Sequence, residues 1–188
     1  PPDYEPLVAS LRAAIAHELA DKQIPALSIA LVDGDEVVWA EGFGEARPGI
    51  PATADTIYRV GSVSKLYTDL AVMQAVERGD LDLDAPITDV LPAFRPANPF
   101  GGAITLRQLM SHRSGLVREP PVGHYFDATE PSLERTVQSL NATELVYAPT
   151  ERAKYSNDGI AVVGYALERS AGAPFAELAR AAVLEPLG

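Results

Sequence analysis

Tyr58-Arg59-Val60-Gly61-Ser62-Val63-Ser64-Lys65, with Tyr155-Ser156-Asn157 far downstream, is the part of this 188-residue chain on which its fold and chemistry turn. Ser62 and Lys65 stand three apart at the head of an apolar stretch free of Gly and Pro that runs to Glu77. That pattern predicts a helix over 62–78 with both side chains on one face. A hydroxyl then lies beside an amine.

A free hydroxyl is a poor nucleophile, so a neighbouring base must take its proton as a bond to a carbonyl carbon forms. Lysine serves in that role when it is neutral, which burial or a nearby cation promotes. A phenol such as Tyr155 can share the proton and return it to a leaving group. Ser62 also sits where the helix starts, where backbone N–H groups and the positive end of the helix dipole favour a developing oxyanion. The chemistry indicated is acyl transfer.

Each element also has an ordinary reading. An S-x-x-K match arises by chance in roughly half of chains this size and Y-x-N in about one in five, so neither decides anything alone. Ser62 can be a helix cap and Lys65 a solvated residue, although a cation in a first turn opposes the helix dipole. Tyr155 and Asn157 can be a turn and helix entry, with Asn157 or Asp158 capping the apolar stretch 159–171.

The remainder of the chain joins these elements together. Leu27-Ser28-Ile29-Ala30-Leu31-Val32 and Val37-Val38-Trp39-Ala40-Glu41-Gly42-Phe43-Gly44 precede the Ser62 block. Gly79-Asp80-Leu81-Asp82-Leu83-Asp84-Ala85-Pro86-Ile87 and Ile104-Thr105-Leu106-Arg107-Gln108-Leu109-Met110-Ser111-His112-Arg113-Ser114-Gly115-Leu116 follow it. Tyr155-Ser156-Asn157-Asp158-Gly159 and Leu184-Glu185-Pro186-Leu187-Gly188 complete the series. In this order the blocks resemble the serine beta-lactamase and penicillin-binding-protein-like family, in its class C, esterase and D-aminopeptidase branch.

The resemblance implies an α/β (α+β) fold in which an antiparallel sheet is flanked by helices and carries a helical lobe. It implies Ser62 as acylated nucleophile, Lys65 as base, Tyr155 as proton shuttle, and Asn157 as a hydrogen-bonding partner of the substrate amide or of Lys65. Two departures are small: Ser64 stands where the family more often has threonine, and Thr150 where it more often has glycine. The family's third motif, Lys-Thr-Gly or His-x-Gly on a core strand, lies downstream of the block ending at Gly188. Since that strand supplies one oxyanion donor, worth ~100- to 1,000-fold in rate, the expectation is the front part of a longer enzyme, inactive or poorly folded by itself. The family's habit of export implies a periplasmic or extracellular address.

Composition agrees with a packed domain, at 47% hydrophobic residues. A net charge of -11 without a Lys/Arg cluster argues against nucleic acid as partner. The absence of cysteine excludes disulfides and thiolate metal sites. No apolar run approaches the ~18 residues of a membrane span. The expected partner is a small ester, amide or beta-lactam substrate, with no cofactor.

Local patterns predict an amphipathic helix over 7–20 with Leu7, Leu11, Ala14, Ile15 and Leu19 on one side, ending before Pro25. Strands over 26–32 and 36–43 join at Asp33-Gly34-Asp35 as a hairpin. Residues 45–56 read as a Pro- and Gly-rich connection, and the 62–78 helix as buried on more than one side. Short helices and loops fill 81–149, and helices over 159–171 and 174–183 break at Gly172. Three parts are expected: a helix and hairpin at 1–60, a mainly helical lobe at 61–157, and closing helices at 158–188.

Other chemistries find less support. His17, His112 and His124 lack metal-ligand spacing, and His112 reads as a structural hydrogen-bonding residue beside a turn. No serine has the G-x-S-x-G frame, and Gly101-Gly102 is a turn signal. Tyr125 and Phe126, in a Pro-rich loop, either line the substrate cleft or pack under it, with Tyr125 the candidate binding residue. Arg152 and Lys154, near the second motif, read either as attractors of a substrate carboxylate or as surface residues, with surface placement favoured.

Overall fold

The computed structural model describes residues 2–188. Contacts divide the chain into two compact units, one reaching to Arg59 and the other spanning Val60–Gly188.

The first unit opens with α1 (Glu5–Asp21), whose first turn carries Pro6, where a missing N–H costs nothing. Its inward stripe is Val8, Leu11, Ile15 and Leu19, at spacings of three and four. Leu7 and Ala14, expected on that face, are exposed because they lie about 100° around the helix from the stripe.

β1 (Ala26–Asp33) and β2 (Glu36–Arg47) pair antiparallel from Ala26 opposite Gly44 to Asp33 opposite Glu36, with a bulge at Leu31/Val32. The turn is the expected one, with Gly34 at φ +59°. Residues 45–56 are more than a connection: β2 runs to Arg47 and turns back into β3 (Ile50–Pro51). Pro51 is tolerated there because an edge strand does not need every N–H. Gly42 admits the returning chain, since a Cβ there would lie 2.4 Å from the backbone of Ala52 and Thr53.

The second unit is helical. A 3-10 turn (Gly61–Val63) leads into α2 (Ser64–Glu77). α2 buries one face, Thr68, Ala71, Val72 and Ala75, through which it packs on α5 (Asn157–Ala171). Burial on several sides was expected; instead Leu66, Leu70 and Met73 form an exposed stripe, Leu66 at 62%. Small residues at 71 and 75 let the two helices approach closely. Val162, Val163, Ala166 and Leu167 of α5 lie at the centre of a continuous core with Leu109, Leu116, Val137, Leu140 and Leu145.

The long segment between α2 and α3 (Leu106–Met110) is held by Leu81, Ile87, Leu91, Phe94 and Ile104. Thr105 and Gln108 form a capping box at the start of α3, satisfying two backbone donors. α4 (Leu133–Ser139) is capped by Ser132. α5 ends at Gly172, at φ +68°, as the sequence predicted. The stretch after it is α6 (Phe175–Ala179), a π-turn (Arg180–Leu184) and α7 (Glu185–Leu187), and it packs within this same unit.

Candidate active site

Ser62 lies inside the 3-10 turn, and Lys65 follows in the first turn of α2. The Val63 and Ser64 N–H groups donate to Val60 O and Gly61 O, so they are not the free donors expected beside an oxyanion. By the general rule for helix ends, only the earlier N–H groups of Gly61 and Ser62 lack a partner within the turn.

Lys65 Nζ donates to Ser62 Oγ at 3.1 Å, and Ser62 Oγ lies 2.6 Å from the Tyr155 hydroxyl. Lys65 Nζ also sits 5.0 Å from the centre of the Tyr155 ring, with the Arg118 guanidinium carbon 5.4 Å from that centre. Lys65, and after it the Ser62 hydroxyl, hold the Tyr155 phenol below its ordinary pKa. A cation close by stabilises phenolate, which is the form able to accept a proton. Lys65 is half-buried, while Ser62 and Tyr155 reach solvent. The hollow lined by Val90, Phe94, Val137 and Tyr165 shares no residue with this trio.

Tyr155 is carried by a stretch of chain that runs alongside residues 112–118. Val146 N–H donates to Gly115 O, Thr150 N–H to Arg113 O, Lys154 N–H to His112 O and Asn157 N–H to Arg118 O, all at 2.8–2.9 Å. Gly115 permits this approach, because a Cβ there would lie 2.1 Å from Tyr147 O. Thr150 adopts φ +71°, a left-handed conformation costly for a β-branched residue and natural to the glycine the family resemblance led one to expect. Arg113 Nη1 braces it by donating to Thr150 O at 3.0 Å.

The helix entry differs from expectation. Ser156, rather than Asn157 or Asp158, caps α5: its Oγ accepts from Gly159 N–H at 3.0 Å and donates to Val117 O at 2.7 Å. Asn157 is in the first helical turn, and its Nδ2 donates to Glu119 Oε1 at 2.6 Å. A carboxylate only accepts, so the amide nitrogen faces Glu119 and Oδ1 remains as an acceptor. Lys154 is half-buried, with Nζ donating to Leu116 O at 3.5 Å, and is therefore not the surface residue expected. Arg152 does lie at the surface, over the Tyr147 ring and paired with Glu151.

Asp158 is the unexpected residue. It is 0% exposed, and neither carboxyl oxygen has a hydrogen-bond partner. Burial, then the charge of Glu119, pushes its pKa up to about 7 against the opposing pull of Lys154. Glu119 carried no signal in the sequence, and Asp158 was read there only as a possible helix cap. His112 was singled out, but its contact with Tyr155, ring centres 4.5 Å apart, was not foreseen.

Tyr125 and Phe126 are 87% and 85% exposed and stack edge-on at 5.2 Å, so they do not pack beneath the cleft. Asp127 folds their loop by accepting from Gly123 N–H, Thr129 N–H and the Thr129 hydroxyl. Those bonds, Thr129 first, hold its carboxyl down to about 2. Among the described residues no three His, Cys, Asp or Glu side chains group as a metal site requires, and no helix is long and apolar enough to cross a membrane.

Residues 11–188 match the Beta-lactamase family. Esterase EstB of Burkholderia gladioli is 31% identical over 99% of this chain and 51% of its own length. The D-alanyl-D-alanine-carboxypeptidase/endopeptidase AmpH of Escherichia coli (strain K12) is 29% identical over 86% of this chain and 43% of its own length. Among solved structures, EstCE1, a hydrolase with promiscuous acyltransferase activity, superposes with a TM-score of 0.88 at 27% identity, covering 97% of this chain and 51% of that one. The chain thus spans about half the length of these relatives, and its fold is that of beta-lactamases and penicillin-binding proteins. It belongs to the Beta-lactamase family.

Proposed function

We propose that this chain carries the nucleophile of a serine hydrolase that works through an acyl-enzyme on esters, amides such as D-alanyl peptides, or beta-lactams. The observation that carries the reading is Ser62 Oγ within hydrogen-bond reach of both Tyr155 OH and Lys65 Nζ. Ser62 attacks the carbonyl carbon while the Lys65/Tyr155 pair takes its proton, giving a tetrahedral oxyanion. Collapse breaks the bond to the leaving group, which receives a proton from the same pair, and water then releases the acid.

Esters and D-alanyl peptides are favoured over beta-lactams, since EstB is named an esterase and AmpH a carboxypeptidase. Asn157 offers Oδ1 as an acceptor for a substrate N–H, and Tyr125, standing in solvent, is available to an incoming acyl group. Family habit supports an address in the periplasm or outside the cell.

The test is hydrolysis of a nitrophenyl ester by the full-length protein. Lys65→Ala should slow it about a thousandfold and Tyr155→Phe about a hundredfold, each within the range of general-base loss. Wild-type rates in both variants would remove the pair from the mechanism. Acylation without release would make the protein a covalent sensor instead.

A further inference from the structure

We propose that His112 is the positioning residue for Tyr155, holding the phenol against Ser62 through contacts with three consecutive residues. This rests on the role given to Tyr155 above.

His112 meets each of those residues differently. Its carbonyl accepts Lys154 N–H at 2.8 Å, its ring lies on the Tyr155 ring at a centre distance of 4.5 Å, and its Nδ1 accepts Ser156 N–H at 3.4 Å. The residues before and after the phenol are therefore both tied to one histidine, whose ring covers the phenol itself. Two hydrogen bonds and one ring contact fix both position and tilt, which a single contact could not.

The conformation of His112 makes this possible. It adopts φ +58°, the left-handed region, which for residues other than glycine is easiest for Asn, Asp and His. Its own N–H donates to Leu109 O, and the next N–H, of Arg113, to Gln108 O, so the turn closing α3 is satisfied. The side chain is thereby directed at the 154–156 segment and away from its own helix. Strain held against a reactive group, with its backbone bonds complete, is how a fold orients a side chain.

The chemistry of the contact fixes the form of the ring. Because Nδ1 accepts, it carries no proton, and the neutral ring has its hydrogen on Nε2. The titratable groups around it are Lys65 from α2 and Lys154 and Tyr155 from the segment before α5; Arg118 lies over the Tyr155 ring, and Glu119 is the nearest acidic residue to His112 along the chain. Burial, then the charge of Lys65, keeps His112 below its usual pKa, and a bond accepted at Nδ1 favours the same neutral ring. Protonation at Nδ1 would remove the acceptor and set a second cation beside Lys65. The positioning contact is thus available only to the neutral ring.

The test uses His112→Asn and His112→Phe in the full-length protein, with a nitrophenyl ester and a pH series. Asn tolerates the left-handed backbone and offers a neutral acceptor at every pH, whereas Phe keeps the ring contact without an acceptor. We expect kcat to fall about tenfold in His112→Phe with KM little changed, and to be largely restored in His112→Asn, as misplacement of a reacting group predicts. The acid limb contributed by His112 in the wild type should be missing in His112→Asn.

A 13C label on Tyr155 reads the contact without catalysis: its ring resonance should move as His112 titrates in the wild type, whether or not the Phe variant folds. No movement overturns the proposal, as does His112→Asn falling as far as a folded His112→Phe. Full activity in Tyr155→Phe would instead sink the shuttle role, leaving the label to judge the contact.

Discussion

The sheet unit and the helical unit solve the same burial problem to different degrees. Among the described residues up to Arg59, the buried apolar side chains are Val8, Ile15 and Ala52, and the strands leave Val32, Val37 and Ile50 in solvent. From Val60 onward a continuous core gathers residues from α2, α3, α4 and α5 and from the loops between them. Ser62, Lys65, Tyr155, Asn157 and His112 all belong to that second unit. The reactive side chains are therefore carried on segments anchored by helical packing, whose close-packed core resists displacement.

The largest expected contrast is between cores. Leu109→Ala, at a position 0% exposed, should cost about 2–5 kcal/mol in urea unfolding, while Val37→Ala, at 63% exposure, should stay within about 0.5 kcal/mol. Equal losses would erase the distinction drawn between the units.

The next contrast is pH. Asp158 titrates near 7 in the folded chain against 3.8 for a free carboxyl, so the folded state holds the extra proton between those values. Stability should accordingly fall as pH rises from about 4 to 7, by on the order of 1–4 kcal/mol. Asp69, raised by burial to about 6, adds to the same slope. Asp158→Asn should flatten most of it, whereas a profile unchanged in the variant would mean the carboxyl is solvated. Denaturant midpoints measured across that range decide the matter.

The smallest effect is local. Thr150→Gly relieves the left-handed strain at φ +71° and should raise stability by roughly 0.5–1 kcal/mol, the strain relief of ~1–2 kcal/mol being partly offset by the entropy of glycine. A loss of stability in that variant would show that the threonine side chain makes compensating contacts.

How much of this was legible depended on what each residue was needed for. Ser62, Lys65 and Tyr155 could be read because their spacing falls among blocks that resemble one family in order, and the structure brings the three side chains together. The hairpin was legible because Asp33-Gly34-Asp35 interrupts two apolar runs. Short β3 was not, since two residues give no alternation to read. Ser156 was overlooked as a cap because three neighbouring residues can all cap, and only the loop carrying Val117 selects among them. The one-sided burial of α2 was likewise invisible, because apolar composition does not say which face meets a partner. Glu119 and His112 act through contacts made across the fold, and neither spacing nor residue type announces those.

The central claim is that Ser62 is the atom that becomes acylated. Incubation of the full-length protein with a fluorescent penicillin or a nitrophenyl ester, followed by mass mapping of the modified peptide over time, tests it directly. The account predicts an acyl adduct on Ser62 that forms and then decays, and none in Ser62→Ala. An adduct on another residue, or labelling that persists in Ser62→Ala, would contradict it.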